Sequence, residues 1–422
     1  MRNPEYFKGK KVVIVGLARS GMAAANLLYD LGAKVGVTDL KDDEAVRKNA
    51  GLLKSKEIEL ELGVHKPEFI RGAQMLVISP GVTNASFPVV WAIEAGIPVI
   101  SEIELAWMLC SAKIVAVTGS GGKTTVTTLI GKIIEASGSK VFTCGNIGNP
   151  FSGEVQKMKP QDYVSLELSS FQLGMIRDFR PKVAVMLNFS RNHLDWHKDM
   201  QEYLDAKKRI FLNQQADDFL VLNELDPVIK AMAGESRAKV AYFSQSPGVN
   251  PNQAAVLAVA SVLGIDKAVC EKVFSEFKPL PHRMEYVAEF GKVRFINDSK
   301  ATLMESTVWA IKNIPSPVIL IAGGKDKGVD YSGIIESGRD KVKAVVLIGQ
   351  AKDKIRASLA GAFTIAEAAT LEEAVHLAYR RAAPGDCVLL SPMCSSFDMF
   401  SNYEERGEIF KKAVLQLGRE IK

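Results

Sequence analysis

The chain is poor in cysteine: Cys110, Cys144, Cys270, Cys387 and Cys394 are irregularly spaced and form no C-x-x-C pair. That excludes a disulfide framework, offers no structural zinc pattern, and fits a reducing cytoplasm. No run of about 18 apolar residues occurs, so no membrane-spanning helix is expected. The opening MRNPEYFKGKKVVIVG has charges but no apolar stretch of signal-peptide length, so export is not expected either. Charge of one sign is also scarce. Lys and Arg number 53 against 48 Asp and Glu, a formal +5 spread along the 422 residues, which argues against a nucleic-acid surface but leaves room for a small anionic ligand. Short-period repeats and low-complexity tracts are absent.

What the sequence does contain is alternation. Short β-branched runs (KVVIVG, KVGVTD, MLVISPG) alternate with helical patterns such as SGMAAANLLYDLG, the grammar of a parallel sheet covered by helices. A second series starts at KIVAVTG and runs through KVFTCGNIG, YVSLELSS and VAVMLNFS; a third, near PHRMEYV, includes VRFINDS, PVILIAGG, AVVLIG and CVLLSP. At this length and with 47% hydrophobic content, three α/β domains are expected, over 1–105, 106–280 and 281–422. The first and third read as Rossmann-like and the central one as a P-loop ATPase-type domain. The joints are placed at IPVI-SEIELAWML and at the proline-rich FKPLPHR.

In the first domain, VVIVGLARSG sets Gly16 and Gly21 at the turn after the first strand, and Asp39 ends the next strand, where a ribose-binding acid sits in dinucleotide folds. Ala18 holds the middle glycine position. Its methyl group obstructs a pyrophosphate and disfavours a nicotinamide dehydrogenase. Ser79, Pro80 and Gly81 form a second strand-end turn with backbone N–H groups for an anion.

VTGSGGKTTVTTLI reads as strand, glycine turn and helix. The general pattern G-x-x-x-x-G-K-[ST] needs glycine at 117, where Val117 stands, so the loop here is the shorter Gly119, Ser120, Gly121, Gly122, Lys123, Thr124, Thr125. Its chemistry is retained: successive amides and a helix N-terminus face anionic oxygens, Lys123 adds a point charge, and Thr124 offers an oxygen to Mg²⁺. Further on, Glu167 and His193 each end a strand. Singly they read as an exposed strand end and a hydrogen-bonded loop residue; together, after a phosphate loop, they suit a divalent metal facing phosphate.

With these motifs, GNIGNP, LELSSFQL, NHLDWH, YLDAKKRIF, LPHRMEYV, NDSKAT, AGGKDKGVDYS and LSPMCSSFDMFSNYEERGEIF make nearly the whole chain resemble the Mur ligase family, ATP-dependent amide-forming enzymes. LSSFQL, NDSKAT and the last motif are most similar to the D-glutamate-adding members. The resemblance implies a bacterial cytoplasmic ligase, active as a monomer with no nucleic-acid or membrane partner, that joins UDP-N-acetylmuramoyl-L-alanine to D-glutamate through an acyl phosphate made from ATP. It implies catalytic roles for Lys123, His193 and Lys207, and two Mg²⁺ sites drawing on Thr124, Glu167, His193 and a carbamoylated Lys207. Read alone, the KKR around Lys207 is a solvated basic turn. The resemblance further implies that Gly16, Ala18, Arg19, Ser20, Asp39, Lys41, Ser79, Pro80 and Gly81 hold the UDP moiety, with Asn146 and Ser169 on the substrate side. Arg283 and Asp298 fall to the nucleotide. Lys300, Thr302, Lys327, Ser395 and Phe400 fall to the incoming amino acid. The segment YFSQSPGVNPNQAAVLAVA departs most from the family pattern, with Pro251, Asn252 and Ala255 at the positions of an adenine-contacting motif. Alternatives are a Mur or folylpolyglutamate-type ligase with another acceptor, and a non-catalytic UDP-sugar-binding relative.

Overall fold

A computed structural model describes residues 4–190, 196–244, 249–278, 280–326 and 328–421. It contains three α/β sheets. The first, parallel throughout, has the order β3-β2-β1-β4-β5, with β1 Lys11–Val15, β2 Lys34–Asp39, β3 Glu59–Leu62, β4 Met75–Ile78 and β5 Val99–Ser101. The second is also parallel, in the order β11-β10-β9-β6-β8-β7: β6 Lys113–Thr118, β7 Val141–Gly145, β8 Tyr163–Glu167, β9 Val183–Met186, β10 Phe219–Asn223 and β11 Lys239–Phe243. Central strands such as β4 and β9 are buried at every residue, which is why they read as unbroken apolar runs.

The third sheet, β12-β13-β17-β14-β15-β16, is mixed: β12 Glu285–Phe290, β13 Val293–Asn297, β14 Val318–Gly323, β15 Val342–Ile348, β16 Thr364–Glu367 and β17 Cys387–Leu390. A Rossmann-like sheet leads one to expect parallel strands, but β12 pairs with β13 antiparallel at the edge. The cause is the two-residue turn Gly291–Lys292, both at positive φ (56° and 62°), whose twist matches a hairpin.

The described chain divides into two compact units, Met1–Glu276 and Phe277–Lys422. In the first unit one hydrophobic core runs through both sheets, from Leu28 and Val37 to Ala106, Phe151 and Phe211, all buried. The expected joint at 105 falls inside the helix Glu102–Leu109, which is buried on nearly all sides. Glu102 and Glu104 lie inside that packing. Glu102 Oε1 accepts from the Ser152 amide at 2.6 Å, and Glu104 accepts from the amides of Arg177, Asp178 and Phe179 at 2.8, 3.0 and 3.1 Å. Burial pushes both carboxyls above the usual range. Among the described residues no helix is long and apolar enough to cross a membrane.

Candidate active site

Ligands of open α/β sheets bind beyond the C-terminal strand ends where the strand order switches. In the second sheet that point lies at β6, flanked by β8 and β9, and their three following loops meet there. The loop after β6 is held by its neighbour: the Ser120 amide donates to Asn188 O at 3.0 Å, and the Gly121 amide to Asn188 Oδ1 at 2.8 Å. Two glycines are obligatory. Gly119 (φ +155°) lies so close to the β9 loop that a Cβ would sit 2.9 Å from Leu187 Cβ, and Gly122 (φ +80°) would place one 2.5 Å from Asn252 Oδ1. Gly122 caps the helix Lys123–Ala136, whose first amides lack intrahelical acceptors and so suit an anion. Lys123 Nζ curls back to donate to Gly119 O (3.0 Å) and Ser120 O (3.2 Å); Thr124 is buried and Thr125 half-buried at the helix start.

Lys207 is no solvated turn residue. The helix Met200–Lys208 turns it inward, 1% exposed, where Nζ donates to Gly119 O at 2.8 Å and lies 4.7 Å over the Tyr203 ring; neighbouring Lys208 pairs with Glu235 instead. Burial, and next the charge of Lys123, hold the Lys207 amine well below its ordinary pKa, against the pull of Glu167. Glu167 is likewise buried, at 2% exposure, in register between Val117 and Gly145. Its Oε1 accepts from Asn146 Nδ2 at 2.8 Å, whereas buried Oε2 has no hydrogen-bond partner among the described residues. A buried carboxylate oxygen without a donor is costly unless a cation completes it, so the donor set fits a divalent metal. His193 lies outside the described residues, and those described contain no cluster of three metal-binding side chains. Ser169 serves first as a helix cap, in a capping box with Gln172. In the divergent segment, Asn250 and Gln253 form another capping box, which starts the helix Pro251–Leu263 and sets Asn252 against Gly122.

The first sheet repeats this geometry without lysine. Its switch point lies between β1 and β4 and brings Gly16 and Ser79 together: Ser79 Oγ donates to Gly16 O at 2.8 Å. Asp39 accepts from the amides of Leu17 (2.7 Å) and Lys41 (2.9 Å), and so holds the turn as well as facing it. Ala18 caps the helix Arg19–Asp30, and the Arg19 guanidinium donates to Gly148 O at 2.7 Å, reaching the loop that carries Asn146. Ser20 and Pro80 are half-buried beside this turn; Lys41 and Gly81 are exposed.

In the C-terminal unit, Asp298 follows β13. It accepts from Ser391 Oγ (2.9 Å) and the Met284 amide (3.2 Å), and burial raises its pKa to about 7. Arg283 lies close enough for its charge to act on Asp298. Lys300 Nζ lies 4.8 Å over the Tyr403 ring, and the Thr302 amide donates to Lys300 O. Ser395 O accepts from the Lys325 amide at 2.9 Å, and Phe400 is half-buried against the sheet. Lys327 lies outside the described residues. Sequence reasoning missed Arg406, 0% exposed, whose guanidinium bonds the loops after β13 and β17. It also missed Asn188 and Tyr203; a polar residue two positions after β9 was the available signal for Asn188.

Three family models match the chain in order: the Mur ligase MurD-like N-terminal domain over residues 10–101, the Mur ligase middle domain over 117–264, and the Mur ligase glutamate ligase domain over 282–394. A UDP-N-acetylmuramoylalanine--D-glutamate ligase of Geotalea daltonii is 42% identical over 97% of this chain and 98% of its own. One from a Thermoanaerobacter species is 39% identical over 98% and 99%. Among solved structures, MurF ligase from Thermotoga maritima in complex with ADP shares the fold with a TM-score of 0.60 at 16% identity, covering 98% of this chain and 97% of that one. UDP-N-acetylmuramate-alanine ligase MurC from Thermotoga maritima does so with a TM-score of 0.60 at 15% identity, covering 96% and 99%. Short phosphate loop, buried lysine and full-length likeness agree: the chain belongs to the Mur ligase family.

Proposed function

We propose that the chain is an ATP-dependent ligase that adds D-glutamate to UDP-N-acetylmuramoyl-L-alanine, releasing ADP and phosphate, in peptidoglycan precursor synthesis. The observation that carries this reading is the buried cluster behind the phosphate loop, in which the Lys207 amine donates to Gly119 O and the buried Glu167 lies near enough for its charge to act on that amine. The acceptor follows the activity named for the full-length relatives. The functional division is 1–105 for the UDP-substrate, 106–280 for ATP and chemistry, and 281–422 for the amino acid. The enzyme acts as a monomer in the bacterial cytoplasm.

A carboxylate and a triphosphate repel each other, so the site must offset negative charge at the transferring phosphoryl. Loop amides and Lys123 do so for the β- and γ-phosphates. The substrate carboxylate oxygen attacks the γ-phosphorus and ADP leaves with the bonding pair. The amine of D-glutamate then attacks the acyl carbon, and the tetrahedral oxyanion collapses with expulsion of phosphate and loss of the ammonium proton. Lys207, whose amine burial holds well below its ordinary pKa, adds CO₂: an N–C bond forms, one proton leaves, and a side chain that as an ammonium would repel metal becomes an anionic carbamate. Thr124, Glu167 and the carbamate would hold one magnesium ion and His193 a second, supplying positive charge at the phosphoryl group. Gly16, Ala18, Arg19, Ser20, Asp39, Lys41 and Ser79 to Gly81 hold the UDP moiety, and Asn146 and Ser169 its muramoyl side. Arg283 and Asp298 serve the nucleotide; Lys300, Thr302, Lys327, Ser395 and Phe400 serve D-glutamate.

The test is coupled ADP release with UDP-N-acetylmuramoyl-L-alanine, offering D-Glu, L-Glu, L-Ala or meso-diaminopimelate. Release should depend on D-Glu. Equal rates with another amino acid, or release with no acceptor dependence, would refute the assignment.

A further inference from the structure

Arg406 lies on the helix Tyr403–Glu420, in the charged stretch YEERGEIF. Yet it is wholly buried, and every bond it makes goes to a strand-end loop. Nε donates to Ser299 Oγ at 3.0 Å and Nη2 to Ser299 O at 2.8 Å, both in the loop after β13; Nη1 and Nη2 donate to Cys394 O at 3.2 and 3.1 Å, in the loop after β17. The loop after β14 is pressed onto it as well: a Cβ on Gly324 would lie 3.2 Å from Nη1. All these acceptors are neutral. Stability alone does not call for such a residue, because a buried guanidinium bonded to carbonyls and a hydroxyl is expensive compared with a well-packed apolar side chain. Two of the three loops, those after β14 and β17, are also held in unusual conformations. Gly324 has φ +136°, with Ser395 O 2.3 Å from where its Cβ would be, and Met393 has φ +61° with its amide bonded to Ala301 O at 3.0 Å. Such backbone persists only where the surroundings over-determine it.

We propose that Arg406 is a positioning residue for the amino-acid substrate, a planar clamp that sets the spacing of the loop after β13, which carries Lys300 and Thr302, and the loop after β17, which carries Ser395 and Phe400, with the loop after β14 packed against it. The inference rests on the amino-acid-site reading given above. A guanidinium presents donors in a fixed fork and can bridge two loops at once; an ammonium cannot hold the same geometry. Misplacing recognition groups by about 1 Å weakens a reaction by up to roughly 100-fold.

The experiment uses the full chain with Arg406→Lys and Arg406→Met. KM is measured for each substrate, and the acyl phosphate is trapped with hydroxylamine in the absence of amino acid. Arg406→Lys should raise KM for D-glutamate about tenfold and Arg406→Met further, while KM for ATP and hydroxamate formation stay within about twofold of wild type. A uniform rise for all substrates, or an unchanged KM for D-glutamate, would overturn the role. If Arg406→Met does not fold, Ser299→Ala, which removes one acceptor and keeps the guanidinium, should still raise that KM severalfold, and an unchanged value counts against the clamp. Should wild type use a different amino acid, the activity assignment fails by itself; the selective rise is then read on that amino acid's KM, and its absence overturns the clamp.

Discussion

Strands β1 and β6 stand at the switch points of two parallel sheets, and each ends in a glycine at positive φ followed by a helix, yet their turns are charged in opposite ways. The β1 turn is organised by a carboxylate: Asp39 takes the Leu17 amide and Ser79 closes on Gly16. The β6 turn is organised by lysine side chains, with Lys123 and Lys207 both donating to Gly119 O. The difference matches the proposed roles of the two turns. A phosphate that is only held can be met by amide dipoles, whereas one that is transferred builds charge that needs a cation aimed at it.

The strongest way to break this contrast is to remove a cation from each turn. Lys123→Ala should lower ADP release about 1,000-fold, whereas Arg19→Ala should raise KM for the UDP-substrate about tenfold with kcat kept. Matching kinetic patterns in the two variants would erase the distinction. Next, Lys207→Ala should lower turnover about 100-fold or more and abolish any response to bicarbonate, while wild type loses activity on CO₂ removal and regains it on return. A bicarbonate response surviving in the variant would rule out carbamate at Lys207.

Stability separates the glycines. A Cβ on Gly21 would lie 1.9 Å from Gly16 O, so Gly21→Ala should cost about 2–3 kcal/mol in urea unfolding. Gly81, with no atom within 4 Å of an added Cβ, should change by less than about 0.5 kcal/mol. Equal losses would mean that the β1 turn is not packed as described.

The smallest effect concerns pH in the C-terminal unit. Asp298 rises from 3.8 to about 7 on folding, so between those values the folded state binds more protons and stability falls as pH rises. The contribution is fully present below about pH 4 and is lost through pH 7. Asp298→Asn should flatten that part of the stability–pH curve, and an unaltered slope would assign it to other groups.

The strands and the phosphate loop were legible because local signals fix them: β-branched runs, and glycines just before a helix. Glu167 was placed correctly at a strand end, but its burial depends on β7 and β6 on either side, which no local pattern reports. Lys207 and Lys208 look alike in sequence; only helix phase against the β6 loop sends one inward. Arg406 was illegible for the same reason, since its partners lie 12 and 107 residues away. The β12–β13 hairpin could have been read, because a two-residue Gly-Lys turn between alternating runs is a local signal.

The helix that leaves the first sheet has a consequence for how the gene could be divided. Glu102 and Glu104 receive their amides from segments 50 and more than 70 residues downstream, so a fragment that stops near residue 105 would carry two carboxyl groups stripped of their acceptor role and an apolar face with nothing to cover it. The first two sheets are thus a single inheritance unit: recombination between relatives should succeed at the start of the C-terminal unit and fail at the seam between the sheets.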